Sequence, residues 1–347
     1  MARVRENVHG GRTSCTNHPE GVALKPERVA AAADTIEGAA EPSPFHMMEP
    51  PASDRDLDAT TVRRVLAAQF SRLALRSIDY LGSGWEHDVY RVDDAFVFRF
   101  PRYAGVAENL DYDRAVHDLV RSSIGDVMTV PEISFFGRSS AIFPHRFVGH
   151  RLVAGIGVDD PRAPTTIALG SDLGRALTAV HAIPARAAID IGMSVANDDC
   201  ASSLDALMRQ VPLVAGLREL APTPFDWLHG PPSVPAAYAG PPRFIHNDLH
   251  GEHIIIDPES GRLSGIVDWS GAGLGDPAID LAFLLTLGGA AFLDAALASY
   301  QLPVDAGFRE RLGFRARVRA LGWLTDALRR GVDTTRSLAE VRNAFST

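Results

Sequence analysis

The segment FIHNDLHGEHIIIDPESGRLSGIVDW, running from Phe244 to Trp269, narrows the possible folds more than any other part of the chain. Short apolar runs, Phe244-Ile245 and Ile254-Ile255-Ile256, bracket a stretch too rich in glycine and polar groups for a helix. The pattern predicts a strand, a loop, a second strand, a turn at Glu259-Ser260-Gly261, and a third strand from Ser264 to Val267 that ends at Asp268. Two chemistries fit so polar a loop. His246, Asp248, His250 and His253 could together hold zinc for a hydrolase. Alternatively, Asp248 could face a substrate hydroxyl, with Asp268 and His253 facing a divalent cation.

Composition removes several other options. The formal net charge is −9, which argues against nucleic acid as a partner. Cys15 and Cys200 are too few for a disulfide framework or a cysteine-rich zinc site. Lys25 is the single lysine, so a phosphate loop ending in Gly-Lys-Ser/Thr is absent, and any phosphate-gripping cation must be arginine. No apolar run long enough for a membrane span is expected, and the N-terminus lacks the apolar core of a signal peptide. A cytoplasmic protein is the expectation.

Residues 1–55 read as a disordered leader, with Met47 or Met48 as candidate true starts. A helix is predicted from Thr60, followed by strands across SIDYLGSGWEHDVYRVDDAFVFRFP that turn at Gly82/Gly84 and at Asp93-Asp94. A helix over residues 106–123, two more strands, and a helix ending before Pro184 come next. From Pro277 onward the periodicity is helical. Strands first and helices later predict an α+β chain of two lobes, 56–145 and 146–347, with a hinge near 145–149.

Four further features could carry chemistry. Gly82-Ser83-Gly84 lets backbone N–H groups approach phosphate, or is an ordinary hairpin turn. Arg99, flanked by Phe98 and Phe100, either pairs with Asp113 on the following helix or alternates outward into solvent. Asp276 before Pro277 reads as a helix cap, whereas Asp280 opens an apolar helix and needs an Arg, His or backbone donor. Arg309, Arg311, Arg315, Arg317, Arg319, Arg329 and Arg330 read most simply as a solvated helix face; if some line a pocket, a neutral or anionic ligand fits better than a polycationic one.

Taken in order, LGSGWEHDVYRV, FVFRFPR, the Asp113 position, HRFVGHRL, LGRALTAVHAIP, FIHNDLHGEHIIID, GIVDW and GDPAIDLA resemble the aminoglycoside phosphotransferase family over about residues 78–285. The resemblance implies a two-lobed protein-kinase-like fold, in which the first lobe binds nucleotide and the second is catalytic and binds substrate. It further implies a small-molecule kinase that uses ATP or GTP and Mg²⁺ on a hydroxyl acceptor, with aminoglycosides or macrolides among the candidates. It implies Asp248 as catalytic base and Asp268 as metal ligand, Gly82, Ser83 and Gly84 over the nucleotide, and Arg99 with Asp113 at its phosphates. His246, Asp276 and Asp280 are then structural supports. Arg99 replaces the family's usual lysine and Asp113 its glutamate, a longer cation with a shorter anion. His253 stands where most members have asparagine, a departure shared with macrolide kinases. A degenerate nucleotide-binding module is the alternative from the same fold.

Overall fold

The computed structural model describes residues 53–195, 200–211, 216–230 and 232–346. The expected leader therefore lies almost wholly outside the described residues. Helix α1 (Ala59–Gln69) starts where the Asp58 carboxylate accepts the Thr61 amide proton at 2.7 Å. Strands β1 (Ile78–Ser83), β2 (His87–Val92) and β3 (Phe96–Pro101) follow, with Asp93 and Asp94 both at positive φ in the second turn. Its backbone is held because the Asp93 carboxylate accepts from the amides of Leu75, Arg76 and Ser77. Helices α2 (Ala104–Glu108) and α3 (Leu110–Ile124) precede β4 (Ile133–Gly137) and β5 (Phe147–Arg151). The five strands form an antiparallel sheet in the order β1-β2-β3-β5-β4. Alternation puts Phe98, Phe100 and Phe147 on its buried face against α1, with Phe100 and Phe147 stacked at 4.6 Å. Residues 145–149 overlap β5, and the chain leaves the sheet only after Arg151.

Beyond this point short strands serve mainly to place loops. Strand β6 (Ile156–Gly157) leads to α4 (Ile167–His181), α5 (Ala185–Asp190), α6 (Cys200–Gln210), α7 (Leu217–Leu220) and α8 (Pro222–His229). Strands β7 (Arg243–Ile245), β8 (Ile254–Ile256), β9 (Leu263–Ile266) and β10 (Gly273–Gly275) follow, then α9 (Ala278–Ser299), α10 (Phe308–Arg330) and α11 (Thr335–Phe345). The three strands read from the polar segment are present, but β7 pairs with β10 while β8 pairs with β9 and β6.

Helix α9 is the spine of the second core. By length and composition it could cross a membrane, yet here it packs against α4, α10 and α11 and breaks at Gly289 (φ 73°). Gly174 of α4 lets the two helices touch: a Cβ there would stand 2.1 Å from the Ala296 carbonyl oxygen. That close approach delivers His181, at the end of α4, to Asp280 in the first turn of α9.

Candidate active site

The loop between β7 and β8 is anchored from below by one carboxylate. Asp280 is fully buried and accepts the backbone protons of His246 (Oδ2, 2.8 Å) and Asn247 (Oδ1, 2.8 Å), and bonds His181 Nε2 at 3.0 Å. His181 Nδ1 meets the Tyr300 hydroxyl at 2.9 Å. Burial alone would raise the Asp280 carboxyl, but the His181 contact and the backbone donors lower it below the ordinary carboxylate value. Asp280 thus has the donors its sequence position required, both imidazole and backbone. Asn247 adopts φ 66°, left-handed for a residue with a Cβ, and the Asp280 bond together with Asn247 Nδ2 donating to the Gly271 carbonyl holds it there. The strained turn delivers Asp248 with its side chain 45% exposed.

His246 is buried and turned inward, with Nε2 donating to the Val267 carbonyl at 3.0 Å. It therefore joins the loop to the end of β9 and stands apart from the group formed by Asp248, His250 and His253, whose donor atoms lie within 4.8 Å of one another. Of the four residues in the alternative zinc reading, only Asp248, His250 and His253 are gathered, while His246 Nε2 is bonded to the strand end instead.

His253 lies between the two carboxylates. Its Nδ1 donates to the Asp248 carbonyl at 2.8 Å, which fixes the tautomer, and its Nε2 lies 3.5 Å from Asp268 Oδ2. Asp268 follows β9 at φ 59°, with Ser270 Oγ donating to its Oδ1 at 2.7 Å. An Nε2 lone pair and a carboxylate oxygen facing each other across that gap form a donor set suited to a divalent cation. Burial opposes ionisation of Asp268, but the Arg99 guanidinium, His253 and the Ser270 hydroxyl hold its carboxyl well below the usual range.

Arg99 corrects one expectation. Its Nη2 donates to Asp268 Oδ1 at 2.8 Å and to His87 Nδ1 at 3.4 Å, and no ion pair joins it to Asp113 among the described residues. The reason is geometric: β3 points this side chain across to the end of β9, and Asp113 lines the same small cavity without touching it. Burial pushes the Asp113 carboxyl up to about 7, against the lowering effect of Arg99. His87, His117 and His150 share the cavity, and burial chiefly lowers all three, to about 3 for His87 and about 4 for His117. They are neutral at physiological pH, so Arg99 is the cavity's cation.

Gly82 and Ser83 belong to the end of β1, with the Ser83 hydroxyl donating to Asp88 at 2.7 Å, and the Gly84 amide donates to the His87 carbonyl at 3.0 Å. A Cβ built on Gly82 would meet nothing within 4 Å, so neighbouring atoms do not require glycine there.

The arginines of α10 correct the reading of a solvated face. Arg311 is 2% exposed and is clamped by Asp276 (2.7 Å) and Asp305 (2.6 Å). Arg315 is also buried and lies 3.9 Å from Asp276. Asp276 additionally accepts the Ala278 amide proton at 3.0 Å, the capping role expected of it. Arg319 Nη2 donates to the Leu249 carbonyl at 2.5 Å. Arg311, Arg315 and Arg319 recur every four residues on one inward side of the helix, a spacing that marked them in the sequence. His181 carried a comparable signal, as a polar ring continuing the apolar stripe of Leu173, Leu177 and Val180.

The profile of the phosphotransferase enzyme family matches residues 77–314. An uncharacterized protein of Bacillus subtilis, YcbJ, is 43% identical over 54 residues, 16% of this chain and 17% of that protein. Viomycin phosphotransferase of Streptomyces vinaceus is 50% identical over 40 residues, 11% of this chain and 14% of that protein. The matched segments thus span less than a fifth of either relative. Among solved structures, the GDP complex of wild-type aminoglycoside 2'-phosphotransferase-IIIa superposes with a TM-score of 0.57 at 23% identity, over 84% of this chain and 98% of that one. Macrolide 2'-phosphotransferase MphH of Brachybacterium faecium gives 0.53 at 21% identity, over 84% and 99%. These likenesses carry the fold, a sheet-based N-terminal region with a helical C-terminal region.

Proposed function

Because this chain belongs to the phosphotransferase enzyme family, we propose that it transfers the γ-phosphoryl group of ATP or GTP to a hydroxyl of a small molecule, with Asp248 as the base. The observation that carries this reading is the position of His253, hydrogen-bonded to the Asp248 backbone on one side and facing Asp268 on the other.

Asp248 is the exposed carboxylate at the tip of a loop whose backbone is fixed by Asp280, so it can hold an incoming hydroxyl in line and accept its proton. Asp268 and His253 Nε2 suit Mg²⁺, with His253 replacing the oxygen ligand that this hard cation prefers. Mg²⁺ bound there would neutralise charge growing on the phosphate oxygens. Arg99 stands beside Asp268 and is the cation for the non-transferred phosphates, and the open space at Gly82 lets the backbone approach them. Asp113 lines the same cavity and favours the Arg99 charge from there, which supports it as the guanidinium's second partner when nucleotide is bound.

The test is release of nucleoside diphosphate from MgATP and MgGTP across a panel of aminoglycosides, macrolides and simple alcohols. Acceptor-dependent release is expected. Nucleotide binding with no turnover on any acceptor would instead support a degenerate module.

A further inference from the structure

Where α10 passes the catalytic loop it presents Arg319 and Trp323, one turn apart on the same face. Arg319 holds the Leu249 carbonyl and lies 5.2 Å over the Phe283 ring, yet among the described residues it forms no ion pair. Arg311, Arg315, Arg329 and Arg330 of the same helix each have a carboxylate. Burial opposes the Arg319 charge, and the Asp248, Glu340 and Asp280 carboxylates favour it from a distance without pairing with it, so a positive charge stands directly behind the residue that follows Asp248.

Trp323 is 41% exposed, and its ring lies 6.2 Å from that of His250. His250 Nε2 in turn lies 3.8 Å from Asp248 Oδ2. Indole, imidazole and carboxylate therefore run in sequence from solvent to the proposed base. A lone exposed apolar side chain is ordinary, but this one offers a flat apolar surface at the mouth of the site. The nearby helix carboxylates are taken: Asp326 by Arg329 and Arg330, Glu340 by Arg336. A polycationic acceptor would find Asp248 there but also the Arg319 charge, whereas an uncharged ring could lie on the indole.

We propose that Trp323 and Arg319 form an acceptor subsite selecting hydroxyl compounds that have an apolar face and no net positive charge. The inference rests on the phosphotransferase reading above.

The test is equilibrium binding to the full chain, with Mg²⁺ and a non-hydrolysable ATP or GTP analogue, of two probes: phenyl β-D-glucoside, uncharged with an aromatic face, and kanamycin, a polycation. The glucoside is expected to bind at least about ten-fold more tightly. Trp323→Ala should weaken it by about five-fold or more without changing nucleotide affinity, and Trp323→Phe should restore it. Arg319→Gln should narrow the preference over kanamycin. Equal or tighter kanamycin binding, binding of neither probe, or loss of nucleotide affinity in Trp323→Ala would each overturn the subsite. Failure of the unsubstituted chain to bind any nucleotide would instead count against the phosphotransferase reading itself.

Discussion

Arg99 in β3 and Asp268 after β9 are joined by a 2.8 Å ion pair, so the cation proposed for phosphate and the carboxylate proposed for metal neutralise one another before any ligand arrives. Nucleotide and metal must each replace half of this pair. Arg99→Ala should weaken nucleotide binding by about ten-fold or more, the scale of a charge-assisted hydrogen bond. Arg99→Lys should recover part of the loss as a point charge without the bidentate fork. Calorimetric titration with MgATP and MgGTP reads both.

Asp280 should matter as much for folding as for turnover. Asp280→Ala leaves the His246 and Asn247 amides and His181 without their acceptor, which costs about 3 kcal/mol or more. Urea denaturation checks the stability. Asp280→Asn retains one acceptor oxygen and should lose less.

His253 is testable against the family's usual residue at its position. His253→Asn restores an oxygen donor and should keep turnover with Mg²⁺, whereas His253→Ala should raise the Mg²⁺ concentration required by about 10- to 100-fold. A Mg²⁺ titration of diphosphate release distinguishes them. Equal Mg²⁺ requirements in all three proteins would remove His253 from the metal site.

Asp113 predicts a pH dependence of stability. Burial lifts its folded-state pKa to about 7, above the ordinary carboxylate value, so the folded protein keeps a proton that the unfolded chain releases. Stability from this group is therefore full at low pH and is lost as pH rises toward and through about 7. Asp113→Asn should flatten that slope and raise the thermal midpoint above wild type at pH 8. Thermal melts from pH 5 to 8 measure it, and identical slopes in both proteins would contradict it.

Local pattern carried most of the fold. Alternation around Phe98 and Phe100 and the turn at Asp93-Asp94 are short-range signals, as is the change to helical periodicity after Pro277. The loop holding Asp248 and the need of Asp280 for donors were legible for the same reason, since a charge in an apolar run requires partners wherever the chain goes. Who those partners are was less legible. For Arg99 the sequence offers Asp113 on the following helix or solvent, because spacing does not reveal that β3 reaches across to the end of β9. The α10 arginines were read as one group, although their four-residue spacing separates the inward Arg311, Arg315 and Arg319 from the exposed Arg309.

The most direct test of the central claim is Asp248→Asn, assayed on any acceptor that the unsubstituted protein turns over, with nucleotide affinity measured in parallel. Turnover should fall by about 10²- to 10⁴-fold, the usual contribution of a positioned general base, while nucleotide affinity stays within about two-fold. Turnover close to that of the unsubstituted protein would contradict the assignment of Asp248 as the base.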